Sequence, residues 1–422
     1  MARLYSKSCF LALILVFLFV TFAAFFDSLP KNPYYGAASS LLNQNQDSQF
    51  QGDAGQALAQ GQLTSIHHAY YTTTTTSTRA ITPEPTLEPE TTPDEEQTEE
   101  ERKEEEKKKK AEDKKRIEEK RKKQIQAAKV AKQVDFTIPD DIKYDPAGPR
   151  PDQIILLCAS DGKGHNGGIE NLFEQTQANR QAYADFHGYT YHFINISKYD
   201  IGGSHPVWAK LPAIAETFNT FPDAQWIWWL DLDAIIMTPS VDLNKMLLSH
   251  GALERKILTG QPLNRPGGGA TEVATPETFD VKNIDLIFSQ DHNGVNAGSF
   301  FIRRSHWTRL FMDIWADPDF IMKPWLGQEQ SAVLHLALHH RTVMEHFALV
   351  PQTTLNAYAI GTPGMGWQKG DLVVHFAGCW VEDQCSMRWE QYSAMKEPIP
   401  EKPEVKEPTR LEPELSADAA AP

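Results

Sequence analysis

The order of apolar and polar positions divides the chain into regions of different texture. Cys9 to Phe26 runs 18 residues without a charge, just long enough to span a hydrocarbon core. Arg3 and Lys7 precede it and Asp27 follows. The positive-inside tendency therefore predicts an uncleaved signal anchor over 9–26, with residues 1–8 cytoplasmic and the rest lumenal. A cleaved signal peptide is the alternative, but Ala23-Ala24 is a poor version of its cleavage site. Residues 27–150 carry few apolar positions and many Gln, Thr, Pro and Glu, which predicts an extended, O-glycosylatable stem without a packed core. Within it, Glu104, Glu105 and Glu106 each precede a Lys by four positions. That spacing predicts a charged helix over about 94–133, acting as a solvated spacer.

From Asp152 the pattern alternates. Ile154–Cys158 reads as a strand and Ser160–Gly168 as a polar, Gly-rich loop. Ile169–His187 reads as a helix stopped by Gly188, Tyr189–Ile194 as a strand, and Trp208–Phe221 as a helix. A Trp-rich strand ending at Leu230 follows. Beyond an insertion containing Gly267-Gly268-Gly269 come a strand at Ala297–Ile302, helices at His306–Trp315 and Gln328–His340, and a strand at Leu372–Phe376. Strands alternating with helices predict one α/β domain over 151–396, with a mostly parallel sheet flanked by helices on both faces. The Pro-rich segment 397–422 is predicted to be disordered.

The candidate chemistry sits behind the Trp-rich strand. Asp231 and Asp233 follow Ala224–Leu230 and lead into Ala234-Ile235-Ile236-Met237. An alternating strand end aims both carboxylates the same way. Acids between two apolar runs are costly without a partner, and a divalent ion holding a phosphate-bearing substrate is a sufficient one. The bland reading is a turn after a strand. His375 also lies near a strand's carboxyl end; it reads equally as a satisfied core residue or as a third ligand. Lys210 can neutralise phosphate or be an exposed helix residue. Asn296 and Gly298 can hold a sugar hydroxyl or form a bulge, and Glu329 can merely complement a helix dipole.

Composition narrows the picture further. A net charge of −15 argues against a nucleic-acid partner. Four cysteines are too few for a disulfide-built scaffold. Cys158 fits a small core residue, and Cys379 and Cys385 bracket a loop where a local disulfide is plausible in an oxidising lumen.

Trp226–Ala234, His205–Pro212, Asn296–Arg304, Gln330-Ser331-Ala332 and His375–Cys379 together resemble the fungal galactosyl/mannosyltransferase family over about residues 152–390. That family includes Golgi α-1,6-mannosyltransferase subunits of mannan polymerase and α-1,2-galactosyltransferases, with plant xyloglucan xylosyltransferases as distant relatives. The resemblance implies a GT-A-like fold, single-pass type II Golgi topology, Mn²⁺ (or Mg²⁺) dependence and retention of anomeric configuration. It implies Asp231, Asp233 and His375 as metal ligands, Ser160 in the nucleotide-binding segment and Gln330 near the anomeric carbon. Asp231, Lys210, Asn296 and Gly298 are the further donor-side candidates, and Asp291 is a candidate acceptor contact. The plant relatives carry Lys after the Gly-Cys of the His motif, where this chain has Trp380. The Gln290–Asn296 and Cys-Trp-Val-Glu segments resemble the mannan polymerase subunits. The expectation is thus mannose transfer from GDP-mannose to mannan on N-glycans, within a complex of glycosyltransferase subunits. The rivals are a UDP-galactose-dependent galactosyltransferase and a non-catalytic scaffold subunit.

Overall fold

The computed structural model describes residues 99–140, 142–162, 168–359 and 364–401. The anchor expected at 9–26, the expected stem up to residue 98, most of the Gly-rich loop and the tail beyond 401 lie outside the described residues. Among the described residues no helix is long and apolar enough to cross a membrane.

The first element, helix α1 (Glu99–Ala131), carries the anticipated pairs Glu104–Lys108 (3.8 Å) and Glu106–Lys110 (2.5 Å) along an exposed face. Its last turns differ from a free spacer. Ala127, Val130, Val134 and Phe136 are buried in the main core, so packing begins before the boundary drawn at 151. Two apolar positions in a Lys/Glu-rich helix make too weak a stripe to register as a core face.

The main sheet uses β1 (Ile154–Ser160), β2 (Thr190–Asn195), β3 (Trp226–Leu230), β7 (Leu286–Asp291), β8 (Gly294–Arg303) and β9 (Phe347–Leu349), in the order β2-β1-β3-β8-β7-β9. Side-chain alternation feeds two layers. Ile155, Leu157, Ile227 and Trp229 face one core, while Ile154, Leu156, Trp226 and Trp228 face the other. Helices α2 (Leu172–His187), α3 (Lys210–Thr220), α4 (His306–Trp315) and α5 (Gln328–His339) supply the covering side chains. Gly188, with φ of 77°, ends α2 in the left-handed conformation that costs glycine least.

The sheet is mixed rather than mostly parallel. β1 runs parallel to β2 and β3, and β7 to β9, but β8 is antiparallel to both β3 and β7. The β7–β8 hairpin reverses the chain through the one-turn link at His292-Asn293, a connection that alternation of strands and helices does not report. The hairpin of β5 (Pro262–Asn264) and β6 (Ala270–Ala274) forms its own small sheet and is tied to β7 by Asn264, whose N–H donates to Gln290 Oε1 (2.9 Å) and whose Nδ2 donates to Asp291 O (2.6 Å).

A second sheet has the order β10-β11-β4, from β4 (Ala234–Ile236), β10 (Ala357–Tyr358) and β11 (Val373–His375). It matters for function because β4 starts one residue after Asp233, and its antiparallel pairing with β11 sets His375 opposite Ala234.

Candidate active site

Asp231 and Asp233 do not extend β3. The strand stops at Leu230, and both acids lie in the turn that crosses from the main sheet to the second one. Their convergence therefore comes from anchoring of that turn, not from strand alternation. Helix α2 anchors it from behind: Thr176 Oγ1 donates to Leu232 O (3.1 Å), and Asn179 brackets Ile236 with bonds to its N–H and C=O (2.9 and 3.0 Å). Arg180, fully buried, donates through Nη2 to Asp231 O and to Ala234 O. From the front, Asp231 N–H donates to Gly298 O (2.8 Å) and Phe376 N–H to Asp233 O (2.9 Å).

With the backbone so held, one ligand atom from each of Asp231, Asp233 and His375 lies within 4.8 Å of the other two. His375 Nε2 is 3.5 Å from Asp233 Oδ1. Burial works to lower the His375 pKa, but the Asp233 carboxylate outweighs it and raises the imidazole above its ordinary value. Two carboxylates and an imidazole form a donor set suited to Mn²⁺ or Mg²⁺, and small rotations would close this spread around one ion. The site therefore fits the metal expected of it.

Gly298 lies against the His375 ring. A Cβ there would fall 2.3 Å from His375 Cε1 and 2.9 Å from Nδ1. The glycine is thus required by the imidazole. Asn296 is likewise turned inward: it is buried and bonds to Asp291, Tyr358, Gly298 and Asn356. Asp291, expected to meet the acceptor, is buried with both oxygens occupied: Oδ1 accepts from Asn293 N–H (2.6 Å) and Oδ2 from Asn296 and Tyr358. These two residues support the site from within.

Lys210 is no exposed helix residue. It is buried and donates to Ala297 O (2.6 Å), pairs with Glu329 (2.9 Å) and lies 3.6 Å from Asp231 Oδ1. Its ammonium also sits 4.8 Å from the Trp229 ring, and Trp229 Nε1 donates to Asp231 Oδ1 (2.6 Å). Burial alone would lower the Lys210 pKa, yet Asp231 and Glu329 outweigh it and keep the ammonium charged. Gln330, on the first turn of α5, accepts from Ala297 N–H (3.1 Å). Ser160 ends β1, and its Oγ accepts from Gly162 N–H (3.0 Å). Cys379 and Cys385 are disulfide-bonded and clasp the short turn that exposes Trp380 just beyond the His375 strand.

Sequence reasoning missed Arg180, Asn356 and Tyr358, and undervalued Glu329. Arg180 had a signal, because it shares the buried stripe of α2 with Thr176, Tyr183 and Ala184, where an arginine is out of place. Asn356 and Tyr358, in a loop and a two-residue strand, had none.

Fungal and plant proteins are similar to this chain in sequence. A Schizosaccharomyces pombe protein, "Probable alpha-1,2-galactosyltransferase gmh1", is 38% identical over 248 residues, 58% of this chain and 74% of the relative. The Saccharomyces cerevisiae "Probable alpha-1,6-mannosyltransferase MNN10" is 28% identical over 272 residues, 59% of this chain and 67% of the relative. The Arabidopsis thaliana "Probable xyloglucan 6-xylosyltransferase 5" is 24% identical, covering 54% of this chain and 51% of the relative. The pattern of the galactosyl transferase GMA12/MNN10 family spans residues 150–386, from just before β1 to the disulfide after β11. With the mixed α/β sheet and every residue of the acid–imidazole site inside that span, the chain is a glycosyltransferase and belongs to this family.

Proposed function

We propose that the protein is a retaining, metal-dependent hexosyltransferase of the Golgi lumen that extends a mannan or N-glycan acceptor from a nucleoside-diphosphate sugar. The observation that carries this reading is the convergence of Asp231, Asp233 and His375 at the exit of β3. When bound, Mn²⁺ or Mg²⁺ would offset the charge of the donor's diphosphate and the further charge that develops as it leaves. The chain's own residues do the rest. Lys210 and Trp229 fix the Asp231 carboxylate in place. Gln330, whose side-chain oxygen accepts from Ala297 N–H, would offer that oxygen to the positive charge that develops on the sugar ring. Lys210 has its donors engaged by Ala297, Glu329 and Asp231, so it acts on the diphosphate through Asp231. Among the described residues the other buried carboxylates, Glu329, Asp291 and Asp285, are paired internally. That favours front-face transfer, in which the departing phosphate takes the acceptor's proton, over a covalent enzyme intermediate.

Similarity to a galactosyltransferase at 38% against a mannosyltransferase at 28% moves the favoured donor from GDP-mannose to UDP-galactose. The resemblance of Gln290–Asn296 to mannan polymerase subunits keeps GDP-mannose as the second reading. Purified full-length protein, given each donor with Mn²⁺ and an α-mannoside acceptor, is expected to transfer galactose and release UDP. Transfer from GDP-mannose alone would reverse the order, and inactivity with both would support the scaffold subunit.

A substitution that leaves every ligand in place tests the packing. Gly298→Ala puts a methyl group into the His375 ring, so the imidazole must move. Mn²⁺ affinity, measured by calorimetry, is expected to fall by about tenfold or more, as displacement of one ligand implies. Unchanged affinity would mean that His375 is not a ligand.

A further inference from the structure

This inference rests on the metal reading above and concerns the groups behind His375. A buried chain of hydrogen bonds runs from Asp291 through Asn296 and Asn356 to the imidazole. Asn296 Nδ2 lies 3.0 Å from Asp291 Oδ2 and 2.8 Å from Tyr358 Oη, while its Oδ1 lies 2.8 Å from both Gly298 N and Asn356 Nδ2. Asn356 Oδ1 lies 2.8 Å from His375 Nδ1. Asn356 is fully buried.

Amide and imidazole polarity is here decided by the partners. The Gly298 N–H can only donate, so the Asn296 atom facing it is the oxygen, and the Asp291 carboxylate receives the Asn296 nitrogen. That same Asn296 oxygen faces Asn356, which must answer with its NH₂ group. The Asn356 oxygen is then left toward His375, and an amide oxygen carries no proton, so Nδ1 must. We propose that Asn356, oriented by Asn296 and ultimately by the Gly298 N–H, locks neutral His375 in the Nδ1–H tautomer. The Nε2 lone pair then faces Asp233 and the metal position. Asn356 is thus a positioning residue for the divalent ion. Losing such a hydrogen bond behind a metal-bound histidine typically costs about 10–100-fold in affinity.

Two readouts on full-length protein test this. Mn²⁺ titrations are expected to show binding weakened about 10–100-fold in Asn356→Leu. Asn356→Asp, which keeps an oxygen toward Nδ1 and in its acid form a donor toward Asn296, should recover most of the loss. Long-range ¹H–¹⁵N spectra of ring-labelled, metal-free protein, recorded at a pH high enough to leave the imidazole neutral and with His375 assigned by its disappearance in His375→Gln, should show Nδ1–H in the parent and a shifted or mixed tautomer in Asn356→Leu. An Nε2–H parent, an unchanged Leu variant, or equal losses in both variants would overturn the proposal. Should Asn356→Leu fail to fold, the parent tautomer and the Asn356→Asp titration decide. A parent that binds no Mn²⁺ would remove the metal reading, while the tautomer spectra would still judge the relay.

Discussion

Asp233→Asn is expected to lower kcat/KM for sugar transfer by about three orders of magnitude, a loss of ~4 kcal/mol of transition-state stabilisation. The substitution preserves shape, and the turn is held by backbone bonds from Phe376, Arg180 and Thr176 that the side chain does not make. What it removes is charge where charge is needed, at a buried position facing His375 Nε2. Asp231→Asn should be as damaging to transfer but less clean, because Asp231 also answers Lys210 and Trp229. The measurement is product formation over a range of Mn²⁺ concentrations, alongside a melting curve. Full Mn²⁺-dependent transfer by Asp233→Asn would show that the carboxylate pair is not the metal site.

The site was legible in sequence where chemistry and neighbouring residues coincide, and illegible where it depends on contacts between distant segments. Asp231 and Asp233 announce themselves because two acids interrupt apolar runs, although the reason given for their alignment, strand alternation, is replaced by a turn pinned from both sides. His375 alone was ambiguous between core and ligand. The structure resolves its placement through β4–β11 pairing, which sets it opposite Ala234. Asn356 is 19 residues from His375 and 60 from Asn296, and nothing local marks it. Helices with strong stripes were placed nearly to the residue, as at His306–Trp315. β9, three residues long, was not seen, because a short apolar run reads equally as helix or strand. The sheet's mixed direction was lost for a related reason. Segment order reports that strands exist, while the antiparallel placement of β8 depends on a hairpin in which β8 opens on Gly294 at φ of 102°.

Lys210→Met should unfold more easily than any other single substitution around the site. Lys210 and Glu329 have side chains only 5% exposed and meet at 2.9 Å, and burial already pushes the Glu329 carboxyl up. Removing the ammonium leaves that carboxylate without its cation in a dry environment, which costs about 3–5 kcal/mol. Against a domain of this size the melting temperature should fall by on the order of 10 °C. Glu329→Gln should cost less, because Lys210 keeps Asp231 and Ala297 O as partners. The double variant Lys210→Met/Glu329→Leu removes both charges, so it should regain much of the lost stability. It should nevertheless remain poor in transfer, since Asp231 has lost the cation that orients it. Stability and activity therefore separate in the double variant only if the pair serves the acid turn as well as the fold. If Lys210→Met melts with the parent, the buried pair contributes nothing to stability; if the double variant transfers sugar at the parental rate, Lys210 has no part in placing Asp231.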